Sequence, residues 1–222
     1  MVRPVVHRPL AIAAALLIMA LFTTGFSFSE HEAKEAAEVS AKASATADEI
    51  ARLLGTPCAQ KIKNRRIATL IGEVHAQGRA QMTAGDDGPL FEEINLRMRR
   101  LGMQTISPET IRAQIAQAEV QAFLNNDPDA AIQAAGRLQA DFFLRGLIQA
   151  RSRVNPVVKI NEVFVTVTLT LVDRKGRPIS QVSATGDSFA GQDTLAAALD
   201  LVREKADLLV ARLYSDYCNQ TP

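Results

Sequence analysis

The chain has 222 residues and a formal net charge of +1, with 25 basic and 24 acidic side chains. Because nucleic-acid-binding domains are usually strongly basic on one face, this balance argues against a nucleic-acid partner. Trp is absent and Tyr occurs twice, which argues against a carbohydrate-stacking platform.

The N-terminus has the layout of a secretory signal peptide. A short basic segment, residues 3–8, precedes an uninterrupted apolar run from Leu10 to Phe26, and small residues follow before Glu30. This pattern predicts a signal peptide over residues 1–29 and export to the periplasm. The apolar run is long for a cleaved signal but shorter than the ~20 residues of a membrane span. The alternative is that the segment is not cleaved and anchors the chain in the membrane. The domain would then be periplasmic and tethered to the inner membrane.

Residues 30–57 differ in composition from the rest of the chain. They are rich in Ala, Glu and Lys, which favour helix, but they carry no apolar stripe to hold a helix on a core. We predict a solvated, partly helical stalk or linker, followed by a single α/β domain over residues 58–222. Removal of residues 30–57 is expected to leave that domain folded.

The two cysteines, Cys58 and Cys218, lie at opposite ends of the predicted domain. An exported chain folds in an oxidising compartment, and the sequence has no CxxC motif and few other soft metal ligands. We therefore predict a disulfide between them. The geometry agrees if the first strand runs parallel to the strand before the last helix, because that helix then ends beside the start of the first strand.

The first half of the predicted domain combines one strand with several helices. A glycine-rich loop over residues 76–88 follows the first strand, and its glycines do not match a phosphate-binding fingerprint. The apolar spacing predicts a strand over Arg66–Val74, a short strand over 103–106, and helices over 89–101, 107–126 and 127–138, with Ser107 as an N-cap.

The second half gathers the strands. Residues 142–154, 161–172 and 178–189 alternate in the two-residue period of half-buried strands, and residues 193–214 hold a helical period for several turns. The element order is β-α-α-α-β-β-β-α. This order predicts an α/β (α+β) fold with a mixed sheet of about four to five strands and helices packed on one face.

Three features together resemble a known periplasmic α/β domain. The first is a strand followed by helices that begin at Pro89 and Ser107. The second is the segment Gly136–Gly146, GRLQADFFLRG, similar to that group's entry into its central strand. The third is the hairpin over 163–186, with its Asp173–Gly176 turn, followed by a long Ala-rich helix. The pattern is similar to the domain shared by the curli-secretion lipoprotein, the lipoprotein activators of penicillin-binding proteins and the flagellar H-ring middle domain.

The resemblance implies an envelope assembly or activation factor that is not an enzyme. It covers roughly residues 64–218. The chain has no cysteine directly after the apolar run, so the likeness does not extend to a lipid anchor. It implies envelope proteins as partners, and both their identity and a homo-oligomeric state stay open.

No catalytic constellation is present in the sequence, and we expect neither a cofactor nor a metal. Glu73 with His75, and Asp86 with Asp87, lack the further groups that acid–base or calcium chemistry requires. The basic run over residues 61–66 is a separate candidate, in this case for contact with anionic groups. The alternative function is a small-ligand-binding protein or an enzyme that uses the 76–88 loop as a lid. The predicted partner surface is either the strand face that carries Thr166, Thr168 and Thr170 or the Phe143 and Leu147 face of the neighbouring strand.

Overall fold

The computed structural model describes residues 26–74, 80–82, 88–154, 156–157, 159, 161–189 and 194–220. The helices in these ranges are α1 (Phe26–Leu54), α2 (Ala59–Ile62), α3 (Pro89–Arg100), α4 (Pro108–Gln114), α5 (Gln117–Leu124), α6 (Pro128–Leu138) and α7 (Thr194–Gln220). The strands are β1 (Arg66–Val74), β2 (Ala80–Met82), β3 (Gln104–Thr105), β4 (Phe142–Val154), β5 (Asn161–Asp173) and β6 (Pro178–Phe189).

The chain divides into two compact units, Met1–Asp48 and Glu49–Pro222. In the first unit, residues 32–45 of α1 are exposed throughout, as expected for a helix without an apolar stripe. Among the described residues, none of the helices has both the length and the apolar character needed to cross a membrane. The predicted signal peptide falls almost entirely on residues 1–25, which lie outside the described ranges.

One mixed sheet organises the second unit, which confirms the predicted α/β class. Its strand order is β2-β1-β4-β5-β6, and β3 pairs with the start of β1. Strand β4 is parallel to β1 and antiparallel to β5, which is in turn antiparallel to β6. Strand β6, which leads into α7, therefore runs in the same direction as β1.

Helices pack on both faces of the sheet, not on one face as predicted. The first face carries α3 and α7, and the second carries α4, α5 and α6. The first core contains Ile67, Leu144, Val167, Leu169, Val202 and Leu213 among others. The second contains Ala68, Leu70, Phe123, Leu138, Phe143 and Val172.

Two segments of the chain differ from the predicted elements. The predicted loop over 76–88 contains β2, which pairs antiparallel with the end of β1. The helix predicted over 107–126 is two helices, because Ile115 is extended (φ −121°, ψ 131°). A new helix then starts at Gln117, and the N–H of its N-cap residue Ala116 donates to the Glu119 carboxylate at 3.2 Å. The predicted N-cap is confirmed: the Ser107 hydroxyl accepts from the Thr110 N–H at 3.3 Å.

The predicted disulfide joins Cys58 to Cys218, with their Cα atoms 5.6 Å apart. The parallel course of β1 and β6 brings the end of α7 beside the start of β1, as the sequence argument requires. In the chain-entropy model, a crosslink over 160 residues stabilises the fold by ~4–5 kcal/mol. The bond fixes the last turn of α7 to the entrance of the domain.

The second unit begins before the predicted boundary at residue 58. The end of α1 belongs to this unit and packs on the rest of it. Leu53 is only 8% exposed. The Arg212 guanidinium contacts the Glu49 carboxylate at 2.9 Å, and the Tyr214 hydroxyl donates to the Thr56 carbonyl at 2.7 Å. Removal of all of residues 30–57 would therefore take away contacts that belong to the folded unit.

Two neighbouring leucines test this earlier boundary. Leu53→Ala should lower the free energy of unfolding by about 2–3 kcal/mol, because it opens a cavity at a buried site. Leu54 is 39% exposed, and Leu54→Ala should change the free energy by less than about 0.5 kcal/mol. Urea denaturation of the two variants measures the difference. If both variants changed the free energy of unfolding by the same small amount, the folded unit would begin at Cys58, as the sequence predicts.

Candidate functional site: an open sheet face

The second face of the sheet is covered only in part. Helices α4, α5 and α6 pack over β1 and the start of β4. Further along, β5 and β6 contribute little to that core, and Gln181, Ser183 and Thr185 of β6 are exposed. Among the described residues, this leaves the surface formed by β4, β5 and β6 open on one side. We call it the open face.

The predicted partner residues lie on this one side of the sheet. Two alternatives considered from the sequence, the threonines of β5 and the Phe143 and Leu147 side of β4, form a single surface. The register pairs Leu147 with Thr168 and Phe143 with Val172, and side chains of directly paired residues lie on the same face.

Two of the predicted contact residues are buried, which corrects the sequence prediction. Phe143 is 0% exposed, and its ring packs against that of Phe123 of α5 in a tilted arrangement, with the ring centroids 5.3 Å apart. Thr170 is 2% exposed. Both lie at the end of the strand pair that helices cover. Leu147, Thr166 and Thr168 are partly exposed and remain candidates for contact.

Hydroxyl groups line the open face. The Thr166 and Thr185 hydroxyls lie 3.1 Å apart across β5 and β6, and Thr168 is paired with Ser183. Hydroxyls both donate and accept hydrogen bonds, so this surface can match either kind of group on a partner. Strand β6 is the last strand of the described sheet, and such an edge presents backbone N–H and C=O groups.

Arg145 marks the border between the covered and open parts of this face. Its Nη1 donates to the Asn126 side-chain oxygen at 2.7 Å, whereas its buried Nε has no hydrogen-bond partner. Burial lowers the pKa of the Arg145 guanidinium below its ordinary value. An arginine remains charged in proteins, so a partly buried cation lies here without an ion pair among the described residues.

A shallow groove of about 210 Å³ lies beside Arg145. Apolar side chains from α5, α6 and β5 form much of its wall, and the start of α6 closes one end. Asp127 lines the same groove, but its carboxylate already caps α6 by accepting from the Asp129 N–H at 2.9 Å. The groove thus combines an apolar wall and the Asp127 carboxylate with a guanidinium that forms no ion pair among the described residues.

The turn between β5 and β6 is held by one carboxylate. Asp173 Oδ1 accepts from the backbone N–H groups of Lys175 at 2.8 Å and Arg177 at 3.0 Å. Asp173 Oδ2 accepts from Arg177 Nε at 2.9 Å and Nη2 at 2.8 Å. Partial burial acts to raise the pKa of the Asp173 carboxyl, but the hydrogen bonds from Arg177 and Lys175 outweigh it and lower the pKa below 3.8.

The other residues considered for chemistry form no assembled site within the described ranges. Glu73 lies near the end of β1, while His75, Asp86 and Asp87 lie outside the described residues, as does most of the predicted lid loop. In the described part of the chain, no three His, Cys, Asp or Glu side chains come together as metal ligands. Arg145 could not be identified from the sequence, because its lack of an ion-pair partner depends on tertiary packing.

Asp173→Asn should lower the free energy of unfolding at neutral pH, because asparagine keeps an acceptor oxygen but loses the charge that pairs with Arg177. The lowered pKa means that the carboxylate stabilises the fold above about pH 3.8. That contribution is lost as the pH falls through the folded-state pKa. The difference between wild type and variant in urea denaturation should therefore close on acidification. A difference that stays the same as the pH is lowered progressively below 3.8 would contradict this role.

Neither a protein-family model nor a curated protein matches the chain. Solved structures do show similarity. Lipoprotein GNA1162 from Neisseria meningitidis is 12% identical over 65% of this chain and 97% of its own, with a TM-score of 0.43. Protein CT253 from Chlamydia trachomatis, described as hypothetical, is 14% identical over 68% of this chain and 98% of its own, with a TM-score of 0.42. A PelC dodecamer from Paraburkholderia phytofirmans is 14% identical over 70% and 88%, with a TM-score of 0.37. Bacterial lipoproteins are thus among the structures to which this chain is similar.

Proposed function

We propose that this chain is a non-enzymatic periplasmic protein that acts in envelope assembly or activation by binding another envelope protein. The open face of β4, β5 and β6 is the proposed contact surface. This role is the one implied by the resemblance to the curli-secretion, penicillin-binding-protein-activator and flagellar H-ring domains. The signal-peptide pattern of residues 1–29 and the disulfide between Cys58 and Cys218 both suit an exported protein.

The observation that carries the proposal is the partly buried Arg145, which forms no ion pair among the described residues. Buried or partly buried charges are usually paired, because removing a charge from water without compensation is costly. Arg145 has an amide oxygen but no carboxylate as a partner. A carboxylate of a bound protein, seated in the groove beside α6, would bring a negative charge next to the guanidinium.

The surface around Arg145 suits a polar protein contact. The hydroxyls of Thr166, Thr168 and Ser183 offer hydrogen bonds, while Leu147 and the groove walls offer apolar area. Protein interfaces commonly combine a polar rim with a less polar centre, and arginine is enriched at their strongest contacts. The identity of the partner, including a second copy of this chain, is left to experiment.

Site-specific photo-cross-linking tests the proposal. A photoreactive phenylalanine analogue in place of Ser183 should form a discrete adduct with another envelope protein in intact cells. The same analogue in place of Ile132, which is 46% exposed on α6, is the matched control and should form no such adduct. Combining the Ser183 probe with Arg145→Gln should reduce the adduct at least severalfold, because the substitution removes the charge.

Two results would contradict the proposed function. One is the absence of any adduct from Ser183. The other is an identical set of adducts from Ser183 and Ile132, since this would indicate random collisions and no specific contact. Mass spectrometry of the adduct identifies the partner and distinguishes a different protein from a second copy of the chain.

A further inference from the structure

A second concave surface lies at the end of the sheet where β1 and β4 begin and β5 meets β6. It is an open cleft of about 580 Å³, within the ~300–1,000 Å³ range of small-molecule sites. It is separate from the open face. Its lining residues come from the starts of β1 and β4, the β5–β6 turn and the end of α7. We call it the end cleft.

Basic side chains outnumber acidic ones in this cleft. Arg65, Arg174, Lys175 and Arg177 line it together with two carboxylates, Asp141 and Asp173. These residues are distant in sequence, and the meeting of four elements brings them together. The local balance is four cations against two anions, in a chain whose overall charge is close to neutral.

Both carboxylates are already engaged within the protein. Asp141 Oδ1 pairs with Arg65 Nη1 at 3.1 Å, and Asp141 Oδ2 accepts from the Arg66 backbone N–H at 2.9 Å. Asp173 is held by Arg177 and by the backbone of the turn. Two cations of the cleft, Arg174 and Lys175, are exposed and have no ion-pair partner among the described residues.

The turn that carries these two cations is fixed in shape. The Asp173 carboxylate binds the backbone of Lys175 and Arg177 from inside the turn. Gly176 has a φ of +75°, and a Cβ added there would lie 2.8 Å from the Pro128 carbonyl oxygen of α6. The turn therefore packs tightly against a helix. A backbone held in this way lowers the entropy lost when its side chains bind a ligand.

The floor of the cleft is apolar. Phe142 and Tyr217 are buried there with their rings 5.3 Å apart, edge to face, and Pro178 and Ile179 continue the floor along β6. An anion alone would leave this surface unused. A ligand with a charged head and an organic body would contact both the cationic rim and the apolar floor.

We propose that the end cleft binds a phosphate monoester, with its phosphate held by Arg174 and Lys175 and its organic part on the Phe142 and Ile179 floor. The charges match, because a phosphate monoester carries −1.5 to −2 at neutral pH and the cleft has two unpaired cations. Arginine guanidinium and lysine ammonium groups are both established phosphate ligands in proteins. The source of the phosphate is either a lipid headgroup or a small soluble ester.

Three probes that each carry a phosphate group distinguish these two sources in calorimetric titration of the full chain. They are inorganic phosphate, glycerol 3-phosphate and the short-chain lipid dihexanoyl phosphatidic acid. Arg174→Gln/Lys175→Gln should weaken binding by about tenfold or more, because each side chain donates charge-assisted hydrogen bonds. Lys34→Gln/Lys42→Gln removes two exposed charges from α1 and should leave binding unchanged. A thermal melt of each variant checks that it is folded.

Saturable binding of glycerol 3-phosphate or of the short-chain lipid, lost in the first double variant and retained in the second, supports the proposal. Binding of inorganic phosphate alone would overturn it, because the apolar floor would then contribute nothing. A marked preference for the short-chain lipid assigns the phosphate to a lipid headgroup, and equal binding of glycerol 3-phosphate assigns it to a soluble ester. The proposal is overturned if none of the three probes binds the wild-type chain. It is also overturned if both double variants lose binding equally, or if Arg174→Gln/Lys175→Gln retains it.

Discussion

The parallel pair of β1 and β4 is the constraint on which the rest of this domain depends. Its backbone is paired over eight residues of β1, from Ile67 to Val74, and it supplies apolar side chains to both faces. Parallel strands require cover on both sides, and the chain provides it with α3 and α7 on one face and α4, α5 and α6 on the other. The antiparallel hairpin of β5 and β6 needs cover on only one side, which α7 supplies.

The candidate binding features lie where this cover ends. Arg145 is at the border of the helices on the second face, and the open face extends from there across β5 and β6. The end cleft lies at the margin of the same sheet, where the Cys58–Cys218 bond fixes α7 to the start of β1. A rigid, doubly covered half of the sheet therefore positions polar groups on its uncovered half and at its end, the arrangement that a binding module needs.

Much of the fold could be predicted from sequence because the strands alternate cleanly and polar turns separate them. Bounds of β1, β4 and β6 agree with the prediction. The alternation of side chains along a strand cannot reveal which face of the sheet the helices cover, so the sequence prediction places Phe143 on an exposed surface. Helical spacing at Ile115 concealed the break between α4 and α5. The end cleft could not be predicted at all, because Arg65 and Arg174 come together only when β1 and the β5–β6 turn reach the same end of the sheet.

Substitution of arginine on the second face of the sheet tests most directly whether helices cover only part of that face. Thr168 lies on the open part of that face, whereas Ala68 lies under the helices and is 0% exposed. Thr168→Arg should change the free energy of unfolding by less than about 1 kcal/mol. Ala68→Arg should cost more than about 4 kcal/mol, because it buries an unpaired charge. Urea denaturation of both variants gives the comparison, and a loss of stability for Thr168→Arg as large as that for Ala68→Arg would contradict the account.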